Sequence, residues 1–253
     1  MANFGLLNWH SPIYIHAFAR DYYANFPLIG AIAMSISRRS VLAAGVTAAA
    51  TTLLHRPSSA EYKCNAAQCD ARIPTKTFRH IQQEPNSVLC WAATIAMICG
   101  WHGRAVHHHN IVRQTFGGIV NAPADPITLI NSVNRLYVDD QGKQFSLSSR
   151  VWSVLHGIAN LDNAGIIQEL SANRPLVVCN MSHMMVLVGV SAPAGTMNIN
   201  QGWVADPAVN GVVTAGIPGL EALAPGFRYL FPAELTPAPM GGQLAFVAAV
   251  NVA

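Results

Sequence analysis

Charged residues are scarce in this chain, making up only 11% of its 253 residues. The formal charge of +3 arises in the first sixty residues, which hold four of the fifteen basic residues but only one of the twelve acidic residues. Residues 61–253 therefore carry eleven charges of each sign and are formally neutral. Because nucleic-acid binding needs a concentrated basic face, we expect no nucleic-acid partner.

The sequence has little that would hold it in a membrane. An apolar run of 14 residues, 41–54, is shorter than the roughly 20 residues that a spanning helix needs. We therefore expect no stable membrane anchor in the mature protein. No internal repeat or low-complexity tract is apparent. The length, with 51% hydrophobic residues, fits one globular domain with an appendage.

The appendage resembles a twin-arginine export signal. Residues 37–42, SRRSVL, place two arginines directly before the apolar run, and Pro57 with the small residues Ser58 and Ala60 follows it. We expect residues 34–60 to be a signal peptide that is cleaved near Ala60. Residues 61–253 are then the mature domain, exported to the periplasm or secreted.

Residues 1–33 precede this signal, although an export signal belongs at the N-terminus. The interpretation that we favour is that Met34 is the true start. The alternative is an unusual upstream extension, such as an amphipathic segment that stays on the mature protein.

Cysteines are few, and their odd number, five, leaves at least one thiol free in an exported chain. Cys64 and Cys69 stand close enough to close a small ring. Cys99 and Cys179 pair only if a helix and a strand pack together, so neither disulfide is settled by the sequence. No second cysteine pair stands at ligand spacing, and we expect neither a metal nor a cofactor.

Cys90 is the most informative residue. It lies in QEPNSVLCWAAT, between turn-forming residues 85–87 and an apolar run, 91–99, that predicts a buried helix. At the first turn of a helix, the unpaired N–H groups and the helix dipole favour the nucleophilic thiolate. The alternative is a structural cysteine that only fills space in the core.

Two residues far along the chain extend this pattern. His183 opens an apolar, strand-like run, where an imidazole needs a polar partner. Asp206 ends a later strand-like run. The order Cys, His, Asp suggests acyl transfer by a thiol nucleophile.

The coarse pattern predicts an α+β fold. After the Cys90 helix, Asp125-Pro126 opens a segment with Ile127, Ile130, Val133 and Tyr137 at helical spacing, and residues 163–171 predict a short helix. After Pro175, short apolar runs separated by turns predict antiparallel strands. We expect a helical lobe with the Cys90 helix, packed against an antiparallel β-sheet lobe that carries His183 and Asp206.

Three consecutive histidines, 107–109, precede another short helix. Consecutive side chains point in different directions on any regular element. We interpret these histidines as surface residues whose metal affinity would be accidental.

Three blocks in the correct order resemble the papain-like cysteine peptidases, in particular the compact bacterial members. They are Gln83 followed by Cys-Trp-Ala-Ala at 90–93, RPLVVCNMSHMMVLVGV at 174–190, and WVADP at 203–207. The resemblance covers about residues 78–232 and implies the papain-like fold.

The resemblance also implies roles for four residues. Cys90 is the nucleophile, His183 the general base and then acid, Asp206 the residue that orients the imidazole, and Gln83 a donor in the oxyanion hole. Gln82 competes with Gln83, and Asn198 or Asn200 with Asp206. Val88 and Leu89 depart from the small residue and second cysteine of the papain motif, and Met184 and Met185 replace small residues after the histidine.

The function implied is an exported cysteine peptidase that hydrolyses peptide bonds in a protein or peptide substrate. A thiol acyl-transferase or amidase would show the same residue order. A third interpretation is a non-catalytic peptide-binding module on the same scaffold. The sequence determines neither the cleavage preference nor the oligomeric state.

Overall fold

The computed structural model describes residues 60–153, 162–209 and 223–253. The predictions for 1–33 and for most of 34–60 lie outside the described residues. The strands are β1 (Glu61–Cys64), β2 (Gln68–Arg72), β3 (Leu136–Val138), β4 (Gln144–Ser153), β5 (Leu176–Asn180), β6 (Met184–Pro193), β7 (Gln201–Ala205), β8 (Phe227–Tyr229) and β9 (Leu244–Val252). The α-helices are α1 (Cys90–Trp101), α2 (His108–Phe116), α3 (Pro126–Ser132), α4 (Asn163–Ser171) and α5 (Pro232–Leu235).

All nine of these strands join one sheet through antiparallel pairs, in the order β1-β2-β6-β5-β9-β4-β3, with β7 beside β6 and β8 beside β7. Strand β6 is central because its first half pairs with β5, its second half with β2, and its other edge with β7. This arrangement of helices on an antiparallel sheet is the α+β, papain-like fold that the sequence predicts.

Helix α1 lies in the core, against β6 and α2. Residues 91–99 are each no more than 2% exposed, as expected for a helix that is apolar on all sides. The hydroxyl of Thr94 donates to the carbonyl of Met184 at 3.0 Å and satisfies a polar group inside this apolar contact. The helix ends at Trp101, and Gly103 follows with φ +78°, a left-handed conformation that favours glycine.

Two predicted helices are confirmed, since Asp125 and Asp162 cap α3 and α4 by accepting from Thr128 N and Gly165 N. The predicted continuation of α3 to residue 137 is wrong. The helix ends at Ser132, and Tyr137 lies on β3. Ile127, near the start of this helix, is 63% exposed, whereas Val133 at its C-cap is buried.

Both ends of the described domain contribute strands. The turn-rich segment after residue 60 forms the β1–β2 hairpin, and a Cys64–Cys69 disulfide closes its end. Cys99 and Cys179, the other candidate pair, are free thiols. The C-terminal segment forms β9, which lies between β4 and β5 in the interior of the sheet. Within the described ranges, no helix has both the length and the hydrophobicity to cross a membrane.

Candidate active site

Cys90 is the first residue of α1, with Leu89 at the N-cap. No side chain caps this end of the helix, so the first-turn N–H groups and the helix dipole act on the thiol region directly. Cys90 is a free thiol and is only partly buried. It therefore combines an electropositive backbone environment with access to solvent, as reactive cysteines do.

His183 lies in the tight turn that joins β5 to β6. The side-chain oxygen of Asn180 accepts from the backbone N–H groups of His183 at 2.7 Å and Ser182 at 3.0 Å. The N–H of Asn180 donates to the carbonyl of His183 at 2.9 Å. Asn180 thus makes two hydrogen bonds with the backbone of His183 and a third with Ser182, which together hold this turn in place.

The structure brings Cys90, His183 and Asp206 together. His183 Nε2 lies 2.6 Å from Asp206 Oδ1, and the same imidazole lies beside the thiol of Cys90, whose pKa it lowers. Because Asp206 occupies Nε2, the nitrogen that remains for Cys90 is Nδ1. The imidazole therefore lies between the thiol and the carboxylate of Asp206, a residue that is only 2% exposed.

The pKa values of the pair move toward the charged forms. Burial alone would raise the pKa of Cys90, but the His183 imidazole and the N–H of Met184 lower it below its usual value. Burial alone would lower the pKa of His183, but hydrogen bonds with Asp206 and Cys90 raise it to about 9. The two groups titrate as a pair, and their environment favours thiolate and imidazolium.

Asp206 is fixed on several sides. Its Oδ1 also accepts from the N–H of Ala208 at 2.8 Å, its Oδ2 accepts from Arg228 Nε at 2.5 Å, and its carbonyl oxygen lies 2.8 Å from His80 Nε2. Burial would raise its pKa, whereas His183 and Arg228 lower it to about 2. The carboxylate therefore stays ionised and keeps its orientation toward the imidazole.

Arg228 and Glu234 form a second layer that sequence reasoning missed. The guanidinium of Arg228 donates through both terminal nitrogens to Glu234, at 2.7 and 2.8 Å. Glu234 also accepts from the side chain of Asn180 at 3.1 Å. This cluster, Asn180–Glu234–Arg228–Asp206, links the turn before His183 to the carboxylate behind it. An arginine between two aromatic residues, Phe227 and Tyr229, was the available sequence signal.

Gln83 lies on the loop before α1. Its backbone N–H donates to the carbonyl of Pro207 at 2.9 Å, so the loop is joined to the residue after Asp206. Its side-chain nitrogen donates to Ser87 O at 3.0 Å, which leaves one amide hydrogen for another acceptor. The side-chain oxygen is buried without a hydrogen-bond partner among the described residues.

The alternatives that the sequence left open differ from these residues in position. Gln82 is exposed, whereas Gln83 is partly buried and hydrogen bonded. Asn198 and Asn200 are exposed residues of the connection between β6 and β7. This connection lies at the opposite end of β6 from His183. Asp206 is the residue that contacts the imidazole.

The other two thiols have a different environment. Cys99 and Cys179 are buried, and burial raises the pKa of each to about 12. Both are therefore protonated at neutral pH and poor nucleophiles. Among the three free cysteines of the described residues, Cys90 is the one with a lowered pKa.

Such an arrangement is suited to acyl transfer by a thiol. A thiolate attacks a carbonyl carbon, and an adjacent imidazolium supplies the proton that the leaving group needs.

No curated protein matches the chain. The family model for the papain-like cysteine protease AvrRpt2 matches residues 73–212, which is more than half of the chain and includes Cys90, His183 and Asp206. The chain therefore belongs to this family of papain-like cysteine peptidases.

Proposed function

We propose that the protein hydrolyses peptide bonds in protein or peptide substrates, with Cys90 as nucleophile, His183 as base and then acid, and Asp206 as the residue that orients the imidazole. The observation that carries the proposal is the position of His183, which hydrogen bonds with Asp206 and lies beside the Cys90 thiol, whose pKa it lowers. The lowered pKa of Cys90 and the free, partly exposed thiol support it further.

Each residue then has a defined part in the reaction. The Cys90 thiolate attacks the scissile carbonyl, and imidazolium at His183 donates its proton to the leaving amine. The acyl group remains bound to the Cys90 sulfur in the acyl-enzyme intermediate. His183, now neutral, removes a proton from the attacking water, and the carboxylic acid leaves as the Cys90 thiolate and the His183 imidazolium are restored. Asp206 stays ionised throughout and fixes the ring orientation.

Hydrolysis in ¹⁸O-enriched water tests this proposal. We expect denatured protein substrates to yield new C-termini that carry ¹⁸O, and Cys90→Ala to yield none, since water completes the reaction through a Cys90 acyl-enzyme. The cleavage products are measured by mass spectrometry. New bonds to an added amine, without ¹⁸O incorporation, would instead identify a transferase. Unchanged substrates despite a reactive Cys90 would favour the peptide-binding interpretation.

We propose further that Gln83 donates to the developing oxyanion, together with the N–H of Cys90. Gln83→Ala is expected to lower kcat about 10²- to 10³-fold with little change in KM, the usual cost of one oxyanion donor. Gln82→Ala is the matched control and should keep wild-type kinetics because Gln82 is exposed. Equal effects of the two substitutions would refute the role of Gln83.

We also propose that residues 34–60 direct export and that cleavage near Ala60 releases the domain 61–253. The Cys64–Cys69 disulfide supports this proposal, because disulfides persist in oxidising compartments such as the periplasm. Determination of the N-terminus in the exported fraction tests it. A start near residue 61 is expected, and recovery of the intact chain in the cytosol alone would contradict it.

A further inference from the structure

A cluster of histidines lies outside the catalytic residues. His107, His108 and His109 each offer one ring nitrogen, and these three atoms lie within 4.8 Å of one another. The rings also pack together, with centroid separations of 4.5 to 5.1 Å. The prediction that consecutive histidines diverge is wrong here, because His107 is the extended N-cap of α2 and only the two that follow are helical.

A carboxylate from another segment meets this cluster. One oxygen of Glu84 lies 2.7 Å from His108 Nε2 and 2.9 Å from His109 Nε2. The other oxygen, Oε2, is buried and has no hydrogen-bond partner in the described parts of the chain. The Glu84 side chain is 42% exposed as a whole, and a cation bound to the carboxylate would give this second oxygen a partner.

We propose that His107, His108, His109 and Glu84 form a binding site for a divalent transition-metal ion, with Zn²⁺ as the ion that the donor set fits. Three imidazoles and one carboxylate are ligands that Zn²⁺ accepts in four-coordinate sites. Ligand atoms on one tetrahedral zinc lie about 3.3 Å apart, given Zn–N bonds of about 2.0 to 2.1 Å. The histidine nitrogens lie within 4.8 Å of one another, and the Glu84 oxygen lies 2.7 and 2.9 Å from two of them, so these side chains would have to shift to bind one ion.

The site would connect two elements that meet near the proposed active site. Glu84 follows Gln83 on the loop before Cys90, whereas the histidines begin α2, which packs against α1. The N–H of His107 donates to both carboxylate oxygens of Asp140, at 2.9 and 3.1 Å, so the histidine side of the site is held on a third segment. A bound ion would thus restrain the loop that carries Gln83.

Zinc titration of the untagged full chain tests the proposal. Cys90→Ala is the background, because a thiolate–imidazole pair binds zinc by itself. We expect one Zn²⁺ to bind this site, and competition with a chromophoric chelator measures its affinity. Binding should weaken at least about tenfold when His107→Asn and His109→Gln are added. Asn at position 107 retains a capping side chain, so helix α2 is kept.

The control is Arg113→Lys, an exposed position on α2 that keeps its charge and is not a proposed ligand, and it should leave zinc affinity unchanged. Glu84→Gln provides a second variant should the double substitution fail to fold, and it should also weaken binding. The spectrum of bound Co²⁺ should lack thiolate charge-transfer bands. Equal zinc affinity in the background and in the folded ligand variants, or thiolate bands, would overturn the proposal.

Discussion

Alkylation of Cys90 by iodoacetamide at pH 6 is expected to be fast in the wild-type protein and on the order of 100-fold slower in His183→Ala. At this pH an ordinary thiol with a pKa of about 8.5 is almost wholly protonated. His183 lowers the pKa of Cys90 against the effect of burial, so removal of the imidazole leaves burial to raise it. Mass spectrometry of the alkylated peptides measures the rates.

The same experiment contains its own controls. Cys99 and Cys179, whose pKa values are raised to about 12 by burial, should remain unlabelled in both proteins. Labelling of Cys90 that is equally fast without His183 would show that the thiol is activated by the helix terminus alone. Slow labelling in the wild type would contradict the thiolate–imidazolium pair.

Turnover should follow a different pH profile from alkylation. Both rates fall in acid as the Cys90 thiolate is protonated. Above the His183 pKa of about 9, the imidazolium loses the proton that the leaving amine needs, so turnover should fall while alkylation stays high. A bell-shaped profile for kcat/KM beside a plateau for alkylation would separate the acid from the nucleophile.

Arg228→Met is expected to destabilise the folded protein by about 3–5 kcal/mol, because it removes one partner of a buried ionic cluster. Asp206 and Glu234 would remain, with side chains only 3% and 5% exposed, and without the cation between them. Such a loss is a large share of the free energy of unfolding of a typical protein, about 5–15 kcal/mol. Urea unfolding measures it, and kcat should fall too as Asp206 loses its orientation.

A matched substitution separates this cluster from ordinary surface pairs. Arg72→Met removes an ion pair with Glu61 whose arginine side chain is 44% exposed, and should cost less than about 1 kcal/mol. Adding Glu234→Gln to Arg228→Met should restore part of the stability, since one unpaired charge is removed. A loss below about 1 kcal/mol in Arg228→Met would refute the structural role of the cluster.

Arg228 and Glu234 have no hydrogen bond with Cys90 or His183 among the described residues, but they contact the residues that position His183. Glu234 contacts Asn180, which holds the backbone of His183, and Arg228 contacts Asp206. Asn180 and Asp206, which position His183, are thus each hydrogen bonded to one member of the Arg228–Glu234 ion pair. Both residues lie beyond 73–212, the part that the family model matches.

Much of the local structure followed from the sequence. The turn residues before Cys90 and the uniformly apolar run after it predicted a buried helix that begins at the nucleophile candidate, and the structure has α1 there. Short apolar runs after Pro175 predicted β5 and β6 on either side of His183. These features can be predicted from the sequence because helix starts, turns and apolar periodicity depend on neighbouring residues.

Contacts between distant segments were decided by the tertiary structure. The sequence left Asp206 in competition with two asparagines, and only the pairing of β6 with β7 brings Asp206 to His183. Likewise, β9 reaches the middle of the sheet through pairs with β4 and β5 that no local pattern specifies. Residue spacing records which side chains share an element, whereas the partners of a buried charge depend on how separate elements pack.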